Sequence, residues 1–160
     1  VAVGPGTVRA LDTASLTAAS LIETNASAGR LDLSPTERWL VFGAPGGYWM
    51  ARVQPGSPPP EHEWVRVFER APGSAERPCG WSPDGRLLYL LLERDGFRDL
   101  YAQRLDTATG ARIGEPFLVQ HFHDPRRSWG STTLGSAIVN NAFVFTQVKT
   151  SGSIWLLHAR

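Results

Sequence analysis

The sequence predicts an all-β protein built from a recurring unit of four short antiparallel strands. Three observations predict it. Segments of one pattern return at intervals of about 50 residues, which marks a repeat architecture. Short runs rich in aromatic and branched residues are bounded by Pro, Gly and Asp, the composition of strands between tight turns. One run, Trp64-Val65-Arg66-Val67-Phe68-Glu69, alternates as a strand with one wet face does.

The elements follow in chain order. The first segment, residues 1–25, offers two outer strands, around Val8–Leu11 and Leu16–Glu23. The unit at 28–72 offers four: Leu31–Ser34, Arg38–Phe42, Tyr48–Val53 and Trp64–Glu69. The stiff stretch Gln54-Pro55-Gly56-Ser57-Pro58-Pro59-Pro60 spans from its third strand to its fourth. The unit at 73–122 offers Cys79–Ser82, Arg86–Glu93, Asp99–Arg104 and Pro116–Gln120. Asp84-Gly85, Asp95-Gly96 and Asp106–Gly110 supply its turns, since Gly and Asp accept the φ > 0 that tight turns require. The last segment, 132–160, offers three inner strands, around Leu134–Val139, Ala142–Val148 and Ile154–His158, with Asn140-Asn141 as a turn.

Three matches carry the repeat. Ser34-Pro35-Thr36-Glu37-Arg38-Trp39 returns as Ser82-Pro83-Asp84-Gly85-Arg86-Leu87, 48 residues on. Leu11-Asp12-Thr13-Ala14-Ser15 returns as Leu105-Asp106-Thr107-Ala108-Thr109, 94 residues on. Phe143-Val144-Phe145 and Ser153-Ile154-Trp155 lie without a gap on Tyr89-Leu90-Leu91 and Asp99-Leu100-Tyr101. Thr36-Glu37 stands where the later copy has Asp84-Gly85, so the earlier turn is expected to differ.

Four antiparallel strands repeating at about 40–50 residues are the mark of a β-propeller blade. Trp81-Ser82-Pro83-Asp84-Gly85-Arg86, a following strand, Asp95-Gly96 and Asp99-Leu100-Tyr101 make the match more specific. This pattern resembles the TolB-like, WD-repeat-like propeller repeat of bacteria, most closely over Gly80–Leu105 and more faintly along the rest of the chain. The ending Thr150-Ser151-Gly152-Ser153-Ile154-Trp155-Leu156-Leu157 resembles the close of propeller modules C-terminal in bacterial serine/threonine kinases and winged-helix regulators. The resemblance implies an extracytoplasmic, periplasmic placement and a role in signalling.

Composition narrows the function classes. The chain has 160 residues and 42% hydrophobic content, enough for a core. A net charge of +1 supplies no broad field for nucleic acid or an anionic membrane, so neither is an expected partner. Cys79 is the single cysteine, which excludes an intrachain disulfide and a thiolate metal cluster. No apolar run reaches the length of a membrane span.

The candidate sites are few. Ser82-Pro83-Asp84-Gly85 lacks the glycine-rich loop, lysine and helix of a phosphate cradle, and reads as a hairpin turn. Glu93, Asp95 and Asp99 bracket a tight turn beside Arg94 and Arg98, and read as a solvated charged hairpin rather than acid–base machinery. No G-x-S-x-G elbow or marked Ser/His/Asp order supports nucleophilic catalysis, so the expectation is a non-enzyme with no cofactor. The unusual segment is His121-Phe122-His123-Asp124-Pro125-Arg126-Arg127-Ser128-Trp129. If extended, His121 and His123 fall on one side, about 7 Å apart. Three readings stay open: loop packing, contact with an anion or peptide through His121, His123, Arg126 and Arg127, and a metal site with Asp124 as third ligand. In a blade this loop shares a ring face with Arg77, Arg94 and Lys149, which suggests a cationic binding face. The six tryptophans read as packing between blades rather than a stacking platform for bases.

The expectation is therefore a non-catalytic module that binds a protein, a peptide or a small anionic ligand. A propeller accessory to a prolyl oligopeptidase-like hydrolase is the competing class, and a histidine-based metal-binding propeller the third. About three blades fall short of the 4–8 of a closed ring. Val1 in place of Met suggests a processed or excised piece. Completion is expected either from further chain or from a second copy, giving six blades.

Overall fold

The computed structural model describes residues 6–24, 29–70, 74, 76–122, 127–129, 136–139, 142–149 and 151. They form an all-β molecule, its helical content among these residues being one 3-10 turn at Glu61–Glu63. The strands are β1 (Gly6–Leu11), β2 (Ala18–Thr24), β3 (Gly29–Leu33), β4 (Trp39–Ala44), β5 (Gly47–Arg52), β6 (Val65–Glu69), β7 (Arg77–Trp81), β8 (Leu87–Arg94), β9 (Phe97–Leu105) and β10 (Arg112–Gln120). Shorter ones follow: β11 (Arg127–Trp129), β12 (Ser136–Val139), β13 (Ala142–Phe145) and β14 (Gln147–Lys149).

Two four-stranded antiparallel sheets occupy the centre, ordered β3-β4-β5-β6 and β7-β8-β9-β10. Every neighbour in them is also a neighbour in sequence, most joined by short turns and β5 joined to β6 by the longer proline-rich connector that carries the 3-10 turn. β1 pairs with β2, and β12 with β13, as separate two-stranded ribbons. No closed ring is formed by the described residues.

Three apolar clusters hold these layers in series. Leu40, Phe42 and Ala51 of the first sheet pack on Val8, Leu21 and Ile22 of the β1–β2 ribbon. On its opposite face Trp39, Val41, Tyr48, Met50 and Val67 meet Trp81, Leu88, Leu90, Leu92 and Leu105 of the second sheet. The far face of the second sheet sets Cys79, Leu91 and Leu100 against Phe143 and Phe145 of β13. The alternating side-chain directions of a strand feed two cores at once, which is why β4 and β8 are almost wholly apolar. Each fully buried Leu or Phe contributes about 1.5–3 kcal/mol, so the layers are held chiefly by these faces.

The turns repeat at atomic detail. Ser82 Oγ accepts the Leu87 N–H at 2.8 Å and donates to Asp84 Oδ1 at 2.6 Å, while Gly85 takes φ of 70°. Ser34 Oγ accepts the Trp39 N–H at 3.0 Å and lies 3.2 Å from Thr36 Oγ1, and Glu37 takes φ of 56°. The earlier turn was expected to differ. Instead it is the same turn, with Thr36 standing in for the aspartate and Glu37 held in the left-handed region that glycine prefers.

The other turn pair agrees as closely. Asp106 Oδ1 accepts N–H groups of Ala108 and Thr109 at 2.9 and 2.8 Å, and Asp12 Oδ1 those of Ala14 and Ser15 at 2.8 Å each. These backbone donors favour the carboxylates and hold both below the usual range. Gly110 and Leu16 occupy the same left-handed position, at φ of 72° and 57°.

The third match is out of phase. Phe143 aligns in sequence with Tyr89, yet the two rings face each other across the layers, centroids 5.7 Å apart. Positions equivalent in a stack of like sheets point the same way along it, so Phe143 is equivalent to a neighbour of Tyr89 in β8. The register pairs Val139 with Ala142, whereas in the second sheet Trp81 pairs with Leu88 across the longer Ser82–Leu87 turn, so the phase is shifted. The single strand expected over Ala142–Val148 is also broken at Thr146. Its second part, β14, pairs with β11 inside the segment expected to be a loop. The strand expected at Ile154–His158 lies outside the described residues.

Candidate binding site

β9 and the end of β10 build the site around Asp99. Period-two alternation places Phe97, Asp99, Tyr101 and Gln103 on one face of β9, beside the apolar strand β8. Asp99 is therefore buried, its side chain 4% exposed, where a solvated hairpin carboxylate was expected. Burial of a carboxylate requires partners, and the chain supplies them immediately after β10. Asp99 Oδ2 lies 2.6 Å from His121 Nδ1, and Oδ1 accepts the Phe122 N–H at 2.9 Å. His121 also meets the Phe97 ring edge-on, centroids 5.1 Å apart.

This arrangement orients the imidazole. A proton on Nδ1 donated to Asp99 makes Nε2 the acceptor of the neutral ring, and protonation makes Nε2 a second donor. His121 is thus a positioned group, partly open, rather than a mobile loop residue. It meets Asp99, twenty-two residues earlier in the chain.

The remaining predicted site residues divide. Arg127 opens β11 opposite Lys149 of β14. His123 and Arg126 lie outside the described residues, as does Asp124. Among the described residues no group of three or more His, Cys, Asp or Glu is arranged to hold a metal ion.

The expected cationic face loses two of its members. Arg77 is buried at 3% exposure, and that burial holds its guanidinium below its ordinary range. Arg94 Nη1 binds Glu76 Oε1 at 2.8 Å, so its charge is locally answered. Lys149 remains exposed. Glu93 is half-exposed and binds Arg98 at 3.4 Å, as a charged hairpin does.

Asp99 is the residue that sequence reasoning missed. The alternation of β9 was the available signal: a carboxylate among Phe97, Tyr101 and Gln103 shares their face. What no local pattern announces is that His121 returns to meet it.

The tryptophans act between and within layers. Trp39 Nε1 donates to Thr107 O at 3.1 Å across to the second sheet, and Trp81 Nε1 donates to Asp32 O at 3.4 Å in the other direction. Trp64 packs edge-on against Phe42, centroids 4.8 Å apart, beside the β1–β2 ribbon. No protein-family model, curated protein or solved structure matches the chain.

Proposed function

We propose that this chain is a non-catalytic binding module, part of a TolB-like propeller in a bacterial signalling protein acting outside the cytoplasmic membrane. The serial stacking of four-stranded sheets supports the propeller reading, because the two sheets share the Ser34 and Ser82 turns, and the ribbon and the second sheet share the Asp12 and Asp106 turns. The binding reading rests on one observation above the rest: His121 is held by a buried carboxylate at the rim of the second sheet. Such anchoring fixes the direction of the ring before any ligand arrives, and preorganisation lowers the cost of binding. Arg127, six residues after His121, is paired in register with Lys149 across β11 and β14, which brings two cationic residues to one ribbon. The chemistry fits a small anion or an acidic peptide.

The test is a titration of the chain with inorganic phosphate and with a short acidic peptide, followed by amide chemical shifts. Arg126→Ala with Arg127→Ala should abolish shifts at His121 and neighbouring amides. His121→Asn keeps a side-chain N–H near the place of Nδ1, so the fold survives while Nε2 is removed. Binding unchanged in both variants would defeat the site assignment.

A further inference from the structure

The layers leave two apolar half-faces open. The β1–β2 ribbon covers β4 and β5 of the first sheet but leaves Leu31 and Leu33 of β3 exposed on that same face, where they pair with Phe42 and Leu40. At the other end, β12–β13 covers Cys79, Leu91 and Leu100 of the second sheet but leaves Val119 and Ile113 of β10 exposed. A cleft of about 520 Å³ remains there, lined by Leu87, Tyr89, Leu100 and Val119 on one side and Ile138 and Phe143 on the other.

The internal repeat says what fits that cleft. Leu105 and the Asp106–Gly110 turn of the second sheet pack on the first sheet, where Leu105 is 4% exposed beside Trp39 and Val41. Their counterparts in the ribbon, Leu11 and the Asp12–Leu16 turn, face outward, with Leu11 59% and Leu16 75% exposed. The counterparts of Trp39 and Val41 in the second sheet are Leu87 and Tyr89, which line the open cleft.

Size is matched as well as position. A Cβ on Gly110 would come within 2.7 Å of the Trp39 ring, so that contact pairs the largest side chain with none. In the open cleft a leucine, Leu87, stands at the tryptophan position, and Leu16 stands at the glycine position. A large-and-small pair is exchanged for two of middle size, as interdigitated packing requires.

We propose that two copies of this chain associate, the outward face of β1–β2 in each seating in the open half of the second sheet of the other. The second copy's Leu16 lies against Leu87, and its Leu11 over Leu87 and Tyr89. The same docking brings β12–β13, whose outward Val144 is 56% exposed, over the second copy's Leu31 and Leu33. The contact is made twice about a twofold axis, so it closes. It does not depend on the anion-binding role of His121.

Sedimentation equilibrium on the purified chain tests it, with near-ultraviolet circular dichroism as the fold control. The expected species has twice the 17.5 kDa chain mass. Leu16→Glu alters only an exposed turn of the single chain, yet should weaken association by about a hundredfold, since two leucine contacts are lost per dimer. Leu87→Trp should weaken it too, by crowding Leu16. Leu87→Trp combined with Leu16→Gly recreates the Trp39–Gly110 pairing and should restore the dimer. A monomeric wild type, an open polymer, or a dimer indifferent to Leu16→Glu would each overturn the proposal.

Discussion

Glu37 carries a conformational cost that its repeat counterpart avoids. At φ of 56° a residue with a Cβ is disfavoured by about 1–2 kcal/mol relative to glycine, and the Glu37 side chain is exposed. Glu37→Gly is therefore expected to stabilise the chain by about 1 kcal/mol after the entropy of the glycine is charged. Thermal denaturation should show a midpoint about 2–4 °C higher; a lower midpoint would mean that the Glu37 side chain is more than a passenger. Asp32 makes a second prediction, this one in pH. Burial raises its carboxyl above the ordinary value, only partly offset by Arg30. A group whose folded pKa is raised stabilises below its unfolded value, and that stability is lost as pH rises through the folded value. Asp32→Asn should thus be more stable than the parent at pH 7, with the difference shrinking toward zero below about pH 4. Urea unfolding at a series of pH values checks it, and an advantage that grows on acidification would reverse the sign.

At the scale of elements, the turns are where sheets touch. The Asp106–Gly110 turn serves both to join β9 to β10 and to receive the Trp39 indole. Gly110→Ala meets two penalties, a φ of 72° and a contact at 2.7 Å, and should cost about 2–4 kcal/mol. The steric part alone is relieved by shrinking the neighbour. In a Trp39→Leu background, Gly110→Ala should cost clearly less, and a double-mutant cycle measures the difference. Equal costs in both backgrounds would place the whole effect in the backbone. Regularity within each sheet is similarly local in origin: Gln103, buried, donates from Nε2 to the carbonyls of Arg104, Ile113 and Gly114 and so holds the irregular start of β10.

The whole molecule is a series of layers, each core shared by two neighbours. A chain whose end layers are completed by a second copy gains stability with concentration by mass action. The unfolding midpoint should therefore rise measurably between micromolar and hundred-micromolar protein, and this dependence should vanish in Leu16→Glu. A midpoint independent of concentration across that range would contradict the association inferred above. Interior and end substitutions should also differ: Leu90→Ala, in the core between the two sheets, is expected to cost about 2–5 kcal/mol. Val144→Ala should cost under about 0.5 kcal/mol in the dissociated chain, where its side chain is largely exposed.

The sequence by itself determined the strands of the two central sheets and their order. The eight strands expected in the two central units appear with ends displaced by a few residues, because period-two patterning and Asp-Gly or Ser-Pro turns act over short stretches of chain. It also determined that Leu105–Thr109 and Leu11–Ser15 are the same turn, since an aspartate binding its own backbone is a local device. Tertiary structure alone decided what each polar residue near a turn does. Asp99 and Glu93 lie in one charged hairpin, yet Asp99 is buried against His121 and Glu93 meets solvent. Arg77 and Arg94 were equivalent as cations on a predicted face, yet one is buried and the other is neutralised by Glu76. The phase of β13 was settled the same way, by which of its faces meets the second sheet. Local chemistry is written into consecutive residues. Burial depends on which layer lies opposite, and that contact joins residues far apart in the chain.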